Sequence, residues 1–470
     1  MKRILLRSGK SPFEVVSREQ AIQRNVIATN SGNLLFSDAA HKILLTDGTE
    51  VESNRMRVNP SEAARINEEY DAFVVPLANA FRPSFETQLN KLSAFIEKLD
   101  IPVVVLGVGA QTGLGYSAER LRPLEASVKR FVRAVLDRSA SIGVRGEFTE
   151  KYVRDLGFRD VEVIGCPSMF MNGDTFEITK RTETLTAESR ISVNVSAAAA
   201  KISDVGGLMR HAYDLHPDLI YVAQNLTDAE LLLWGDLSEA EGRSGSMPLQ
   251  SSHPFFRDDK VRLFIDPATW LDELRGRDFS FGTRIHGNIA ALLAGTPAVV
   301  LAHDSRTLEL CRYFDIPHRS VKDVHAGTDP AELYEAADFG KLREGHRERF
   351  DRFMSFLDRN GLENTFAHGD GGAAYDARVA SLDLPPALRA WDGSPDGLLG
   401  YRISRLRQEV KRARSEQSAL NERLEKVSKE NAALARRLAA LEGAGGGTSP
   451  YRRARRAVGR RVRQVRKRLG

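Results

Sequence analysis

Cysteine is almost absent: Cys166 and Cys311 are the two in 470 residues. Two thiols do not make a disulfide framework, so buried free thiols in a reducing compartment are expected. Long apolar runs are missing too. The start Met1-Lys2-Arg3-Ile4-Leu5-Leu6-Arg7 has the basic opening of a signal peptide, but its apolar run is far too short. The weakly polar stretch 289–302 is broken by Gly295 and Pro297, which excludes a membrane span there. No His, Cys and carboxylate spacing suits a metal, so none is expected. Acidic residues are missing from 451–470, where ten Arg or Lys stand. Taking those ten from the net charge of +5 leaves the rest of the chain at −5, so any basic partner preference belongs to the tail.

What is present is a chain too long for one ordinary core, with a rhythm of short apolar strands and amphipathic helices. Phe73 to Leu77 and Pro102 to Leu106 read as buried strands around a helix over 84–99 with apolar residues at helical spacing. The second strand ends in the turn Gly107-Val108-Gly109-Ala110-Gln111-Thr112-Gly113, which lets a ligand approach the backbone closely. Ala140 to Arg145 is a strand ending in an Arg, either a ligand contact or a partner for Glu147. Near the amino terminus, Asn25 to Asn30 is expected as a first strand, with Ser31-Gly32-Asn33 as the loop after it. A polar, Thr-rich stretch over 174–188 marks a domain crossing. A second series of strands and helices follows, with Thr227 to Glu230 as a capping box. The expected fold is α/β, two Rossmann-like doubly wound domains over 1–180 and 181–368, with a cleft between them.

After a Gly-, Pro- and Asp-rich linker over 369–401, the pattern changes. Ile403, Val410, Gln417, Leu424, Asn431 and Leu438 fall at one heptad position, and Leu406, Ala413, Leu420, Val427, Leu434 and Leu441 three residues later. This predicts a coiled coil over 402–442, and Asn431 favours a parallel two-stranded register. A homodimer through the coil is the expected assembly; one long helix packed on its own body is the alternative. Residues 443–470 form a Gly linker and a basic tail whose spacing suits an amphipathic helix. An anionic membrane surface is its favoured partner; nucleic acid is disfavoured, because no aromatics are interleaved to stack bases.

The richest stretch is Asp278 to Gly287. Phe279 to Phe281 ends a buried strand, Gly282 turns, and Thr283-Arg284-Ile285-His286 open an apolar helix that Gly295 stops before the strand Ala298 to Ala302. A strand handing over to a helix places free N–H groups and a partial positive charge where ligands of parallel sheets bind. An Arg and a His at that spot suit an anion and a proton transfer.

Arg284-Ile285-His286 after Gly-Thr, with Gly295-Thr296-Pro297 and a Val-rich strand, resembles the polysaccharide pyruvyl transferase family. So do Gly143-Val144-Arg145-Gly146-Glu147 with Thr149, and Leu156-Gly157 leading to Val163-Ile164-Gly165-Cys166-Pro167-Ser168. The likeness covers roughly residues 25 to 325; the amino-terminal block departs from it, with Ser31-Gly32-Asn33 and a more distant Asp38 where the family has an Asn-x-Gly-Asp type start. The resemblance implies a glycosyltransferase-B-like pair of domains that moves a pyruvyl group from phosphoenolpyruvate onto a sugar of a cell-surface glycan or lipid-linked glycan precursor. It implies that Arg284 and His286 are the catalytic Arg and His, and that Arg145 binds the donor; Thr283 and Gly282 of the same turn, Gly109 of the Gly-rich turn and Asn33 of the amino-terminal loop are further expected substrate-binding positions. No cofactor is expected beyond phosphoenolpyruvate as donor substrate, and a cytoplasmic enzyme at the inner face of the plasma membrane is the expected location. A nucleotide-sugar glycosyltransferase on the same architecture, or a non-catalytic scaffold using the coil and tail, are the alternatives.

Overall fold

Among the described residues, twelve strands, every pairing between them parallel, make the framework of residues 1–392. A computed structural model describes residues 1–235 and 246–444; the Gly linker and basic tail beyond 444 lie outside the described residues. In the first sheet, β1 (Lys2–Leu6), β2 (Thr49–Ser53), β3 (Ala72–Pro76) and β4 (Val103–Leu106) stand in the order β2-β1-β3-β4. The pair β5 (Ile142–Val144) and β6 (Val161–Val163) continues beyond β4, through the N–H groups of Gly107 and Val108 donating to the Gly143 carbonyl and a Val108–Val144 bridge. The second sheet holds β7 (Ile191–Asn194), β8 (Leu219–Ala223), β9 (Val261–Leu263), β10 (Phe279–Gly282), β11 (Ala298–Ala302) and β12 (His318–Ser320), in the order β12-β11-β10-β7-β8-β9. Strands such as β3, β4, β8, β10 and β11 are buried along their whole length, because helices cover both faces of a parallel sheet.

Each sheet reverses its winding once. The chain goes from β1 outward to β2 and returns to β3 on the other side; it goes from β7 through β8 to β9 and returns to β10. Connections on either side of such a point leave opposite faces of the sheet and open a crevice at the carboxyl ends. Between the sheets runs the helix Gly32–Leu44, of whose 13 residues all but Asn33 are buried. It packs on the turn Pro167–Phe170 and on the helices Pro267–Arg275 and Ile285–Leu293. The helix Gly340–Arg359 comes back from the second sheet to the first. Phe353 packs on Phe170 with ring centroids 4.9 Å apart, and the Asn360 amide oxygen accepts from the N–H of Ala140 at 3.1 Å.

Several expectations need correction. Asn25 to Asn30 is a series of turns, not a strand: Asn25, Ala28 and Thr29 have φ of 48°, 48° and 73°, and an extended strand cannot contain such residues. The first strand is instead Lys2–Leu6, whose short apolar run is buried between β2 and β3. The loop expected at Ser31-Gly32-Asn33 is the start of a helix. The cap of the helix Leu226–Trp234 is Asn225 with Asp228 in reciprocal hydrogen bonds, not Thr227. Within 369–401 a helix forms over Ala373–Ala380, because Tyr375 is buried against Phe13 and His41 and Asp376 pairs with Lys42 at 2.7 Å.

Residues 393–470 form a second unit. Its described part is dominated by one 46-residue helix, Leu399–Ala444, on which Leu406, Leu420, Leu424 and Leu434 are exposed.

Candidate functional site

The carboxyl ends of both winding reversals open into one cavity of about 330 Å³. One wall comes from the second sheet. Asn194 ends β7 and Gly282 ends β10, the two strands that pair at the reversal. Gly282 has φ 151°, and a Cβ on it would fall 1.9 Å from the Asn194 carbonyl oxygen, so only glycine lets the strands approach this closely. The chain after Gly282 is pinned by two asparagines. The Asn194 side-chain oxygen accepts from the Arg284 N–H at 2.9 Å, and the Asn288 amide donates to the carbonyls of Gly282 and Arg284, each at 3.1 Å. The Thr283 hydroxyl oxygen accepts from the Ser196 N–H at 2.7 Å.

Arg284 is the N-cap of the helix Ile285–Leu293, and its own side chain caps none of the opening N–H groups. Its guanidinium is half-buried, donates from Nε to the Val195 carbonyl at 3.0 Å and, among the described residues, has no carboxylate partner. His286 is in the first turn and buried. Its Nε2 stands 3.6 Å from the Cys166 sulfur, and its ring lies 5.4 Å from that of Phe36. Burial, then Arg145 and Arg306, push the His286 imidazole well below its usual value, so it is neutral near pH 7. Gly32 lets the central helix come this close: a Cβ there would sit 2.8 Å from the His286 Cβ.

Asn33, Thr283, Arg284 and His286 therefore line the cavity together. Gly282 shapes the wall behind them. Arg145 and Gly109 do not line it. Arg145 is 1% exposed and lies behind Gly109, whose added Cβ would meet the Arg145 Cδ at 2.9 Å. Its Nε donates to the Gly107 carbonyl at 3.0 Å, while one terminal nitrogen is buried with no hydrogen-bond partner. The nearby Glu309 carboxyl, holding the Thr149 N–H at 2.7 Å, is lifted by burial to about 7 and is a weak counter-ion.

Sequence reasoning missed the rest of the cavity. Arg7 follows β1, Arg82 follows β3, and Arg306 stands in the helix Ser305–Phe314, its Nε on Asp304 at 2.8 Å. Asn30, Asn79, Gln224 and Asn225 add neutral amides. Among the described residues, no Asp or Glu lines the cavity, and no group of His, Cys, Asp and Glu is placed to hold a metal ion. Nor, among them, is any helix long and apolar enough to cross a membrane. Four arginines with one carboxylate behind them make a strongly positive, partly dry cleft, suited to a ligand with more than one negative group.

Comparison with protein families matches residues 30–305 to the model for polysaccharide pyruvyl transferase. A comparison with curated proteins gives no match. Among solved structures, the chain is similar to the UDP-GlcNAc 2-epimerase of Methanocaldococcus jannaschii in complex with UDP-GlcNAc and UDP, at 10% identity and a TM-score of 0.42, covering 76% of this chain and 99% of that one. It is similar to the S. aureus protein MnaA solved with UDP, at 12% identity and a TM-score of 0.37 over 82% and 99% of the two chains. The UDP-GlcNAc 2-epimerase of Neisseria meningitidis bound to UDP-GlcNAc matches at 12% identity and a TM-score of 0.33, over 81% and 100%.

Proposed function

The chain belongs to the polysaccharide pyruvyl transferase family, and on that premise we propose that it moves a pyruvyl group from phosphoenolpyruvate onto a sugar of a cell-surface polysaccharide or its precursor. The observation that carries this reading is the meeting of Arg284, His286 and an uncapped helix amino terminus at the winding reversal of the second sheet. Phosphoenolpyruvate brings a carboxylate and a phosphate, and guanidinium forks and free N–H groups suit both. Arg145 supports the donor end from behind, through the positive field of its buried guanidinium.

The transfer forms two bonds from sugar oxygens to the central carbon of the enol and breaks that carbon's bond to the phosphate oxygen. Of the two hydroxyl protons released, one ends on the former methylene carbon, giving a methyl group, and the other on the departing phosphate. Nothing is oxidised or reduced. A neutral imidazole is a proton acceptor first, so His286 takes the proton of the attacking hydroxyl and then passes it on. We read the pair of facing parallel sheets as a glycosyltransferase-B type arrangement, the Leu399–Ala444 helix as pairing with a second copy of the chain, and the basic run 451–470 as the part that meets an anionic membrane surface.

Incubating the protein with phosphoenolpyruvate and glycan precursors and following phosphate release tests the site. Arg284→Ala and His286→Ala are each expected to slow release by about a hundredfold or more. Release at the wild-type rate by both variants removes the assignment.

A further inference from the structure

The wall facing Arg284 and His286 has no part in the reading above, yet it is built like a binding site. It stands at the other winding reversal, where β1 and β3 end side by side, and a second sheet's carboxyl ends are a second place for a ligand. Arg7 leaves β1 there and Arg82 leaves the β3 turn, and both guanidiniums line the cavity. Each is half-buried, and the Nε of each is buried without a hydrogen-bond partner. Among the described residues neither has a carboxylate within ion-pair reach. Arg7 makes one long bond from a terminal nitrogen to the Pro76 carbonyl, at 3.4 Å, and Arg82 lies over the Phe85 ring at 5.7 Å. Burial pulls the Arg7 guanidinium down to about 10; burial and then the charge of Arg306 also lower Arg82, with Asp304 working against that fall.

Desolvated like charges with no carboxylate in contact are costly unless a ligand supplies a counter-ion. A neutral sugar on this wall would leave both guanidiniums unpaired. The donor's own anions are met on the opposite wall, by Arg284 and the helix amino terminus. We infer that Arg7 and Arg82 form a second anion subsite, which takes a phosphate or diphosphate ester carried by the sugar acceptor itself. The acceptor is then a glycosyl diphosphate, linked to a lipid or to a nucleoside, rather than a finished neutral polysaccharide. Asn30, Asn79 and Asn225 line the same cavity and offer amides to the sugar hydroxyls of such an acceptor. The inference rests on the placing of phosphoenolpyruvate at Arg284 and His286.

The test measures binding of inorganic pyrophosphate to the full chain already saturated with phosphoenolpyruvate, by titration calorimetry. Pyrophosphate is expected to bind on top of the donor. Arg7→Gln and Arg82→Gln should each weaken it about tenfold or more while phosphoenolpyruvate affinity stays within about twofold. The retained donor binding also reports that the variants fold; Arg7→Lys and Arg82→Lys, which keep the charge and lose the fork, should give intermediate losses. Pyrophosphate that displaces a bound donor, variants that lose both ligands together, or variants that bind pyrophosphate as the wild type does, each overturn the subsite alone. A wild-type chain that binds no phosphoenolpyruvate overturns the donor reading and this one with it. UDP and geranyl diphosphate used in place of pyrophosphate separate the two carriers: binding of either supports the acceptor assignment and names its carrier, and failure of both to bind overturns it.

Discussion

His286 stands in a dry pocket beside two guanidiniums, and that position decides which proton task suits it. An imidazole whose charged form is disfavoured by burial, and then by Arg145 and Arg306, stays neutral well below the ordinary value of 6.5. It is a base in the free enzyme, and the approach of a negative donor makes it a better one. The Cys166 sulfur, 3.6 Å from Nε2, helps to fix the orientation of the ring. The pH profile of kcat/KM reads the free enzyme's essential groups. With His286 as base, the profile is expected to stay level as pH falls from 8 to about 6, because the residue remains unprotonated there. A fall centred at or above the ordinary 6.5 would show a normally titrating base and remove His286 from the role. None of this could be read from the turn's sequence, since the environment that tunes the imidazole comes from Gly32, Cys166 and Arg145, each far away in the chain.

At the scale of elements, the strand-turn-helix unit from Phe279 to Leu293 is local, and its residues say what they do. Two phenylalanines make the strand core, glycine makes the turn, and an Arg opens a helix it cannot cap. The helix Leu399–Ala444 is just as local, because a heptad pattern is a property of neighbouring residues. Its apolar positions remain exposed, with Leu420 at 60% and Leu424 at 65%, more than a lone helix in water tolerates over such a length. Pairing with a second copy in parallel would bury them and place Asn431 opposite its counterpart. Light scattering on the full chain at micromolar concentration is therefore expected to give twice the mass of one chain. Leu420→Lys with Leu424→Lys should return it to a single mass without loss of phosphate release. A single mass for the wild type, or a dimer that survives both lysines, would set pairing through these positions aside. What the sequence hid is non-local. Arg7, Arg82 and Arg306 carry no mark of function in their own surroundings, and only the strand order brings them to one cleft. The first strand was hidden by its brevity, and Asn25 to Asn30 misled because a β-branched pair sits between residues that turn left-handed.

Over the whole molecule, the two sheets are tied to the central helix by a cluster of buried charges. Lys10, beyond β1, donates to the Asp266 carboxylate at 2.5 Å and to the Glu14 carbonyl at 2.9 Å, and Lys10 and Asp266 are 1% and 2% exposed. Asp38 on the Gly32–Leu44 helix stands by this pair, and one of its oxygens is buried with no donor. Burial lifts the Asp38 carboxyl to about 7; Lys10 works against the rise and Asp266 adds to it. The folded chain thus keeps Asp38 protonated at pH values where the unfolded chain has already released its proton, from 3.8 upward. A folded value above the unfolded one means stability that is complete below about pH 4 and lost as pH climbs to about 7. Asp38→Asn keeps the shape and removes the titration, while the Lys10–Asp266 pair stays intact. In urea unfolding, the variant is expected to gain on the wild type by about 1–3 kcal/mol between pH 5 and pH 8. A difference that stays level across that range, or turns in favour of the wild type, would mean that Asp38 is ionised in the folded chain and that Lys10 is shared between two carboxylates rather than held by one.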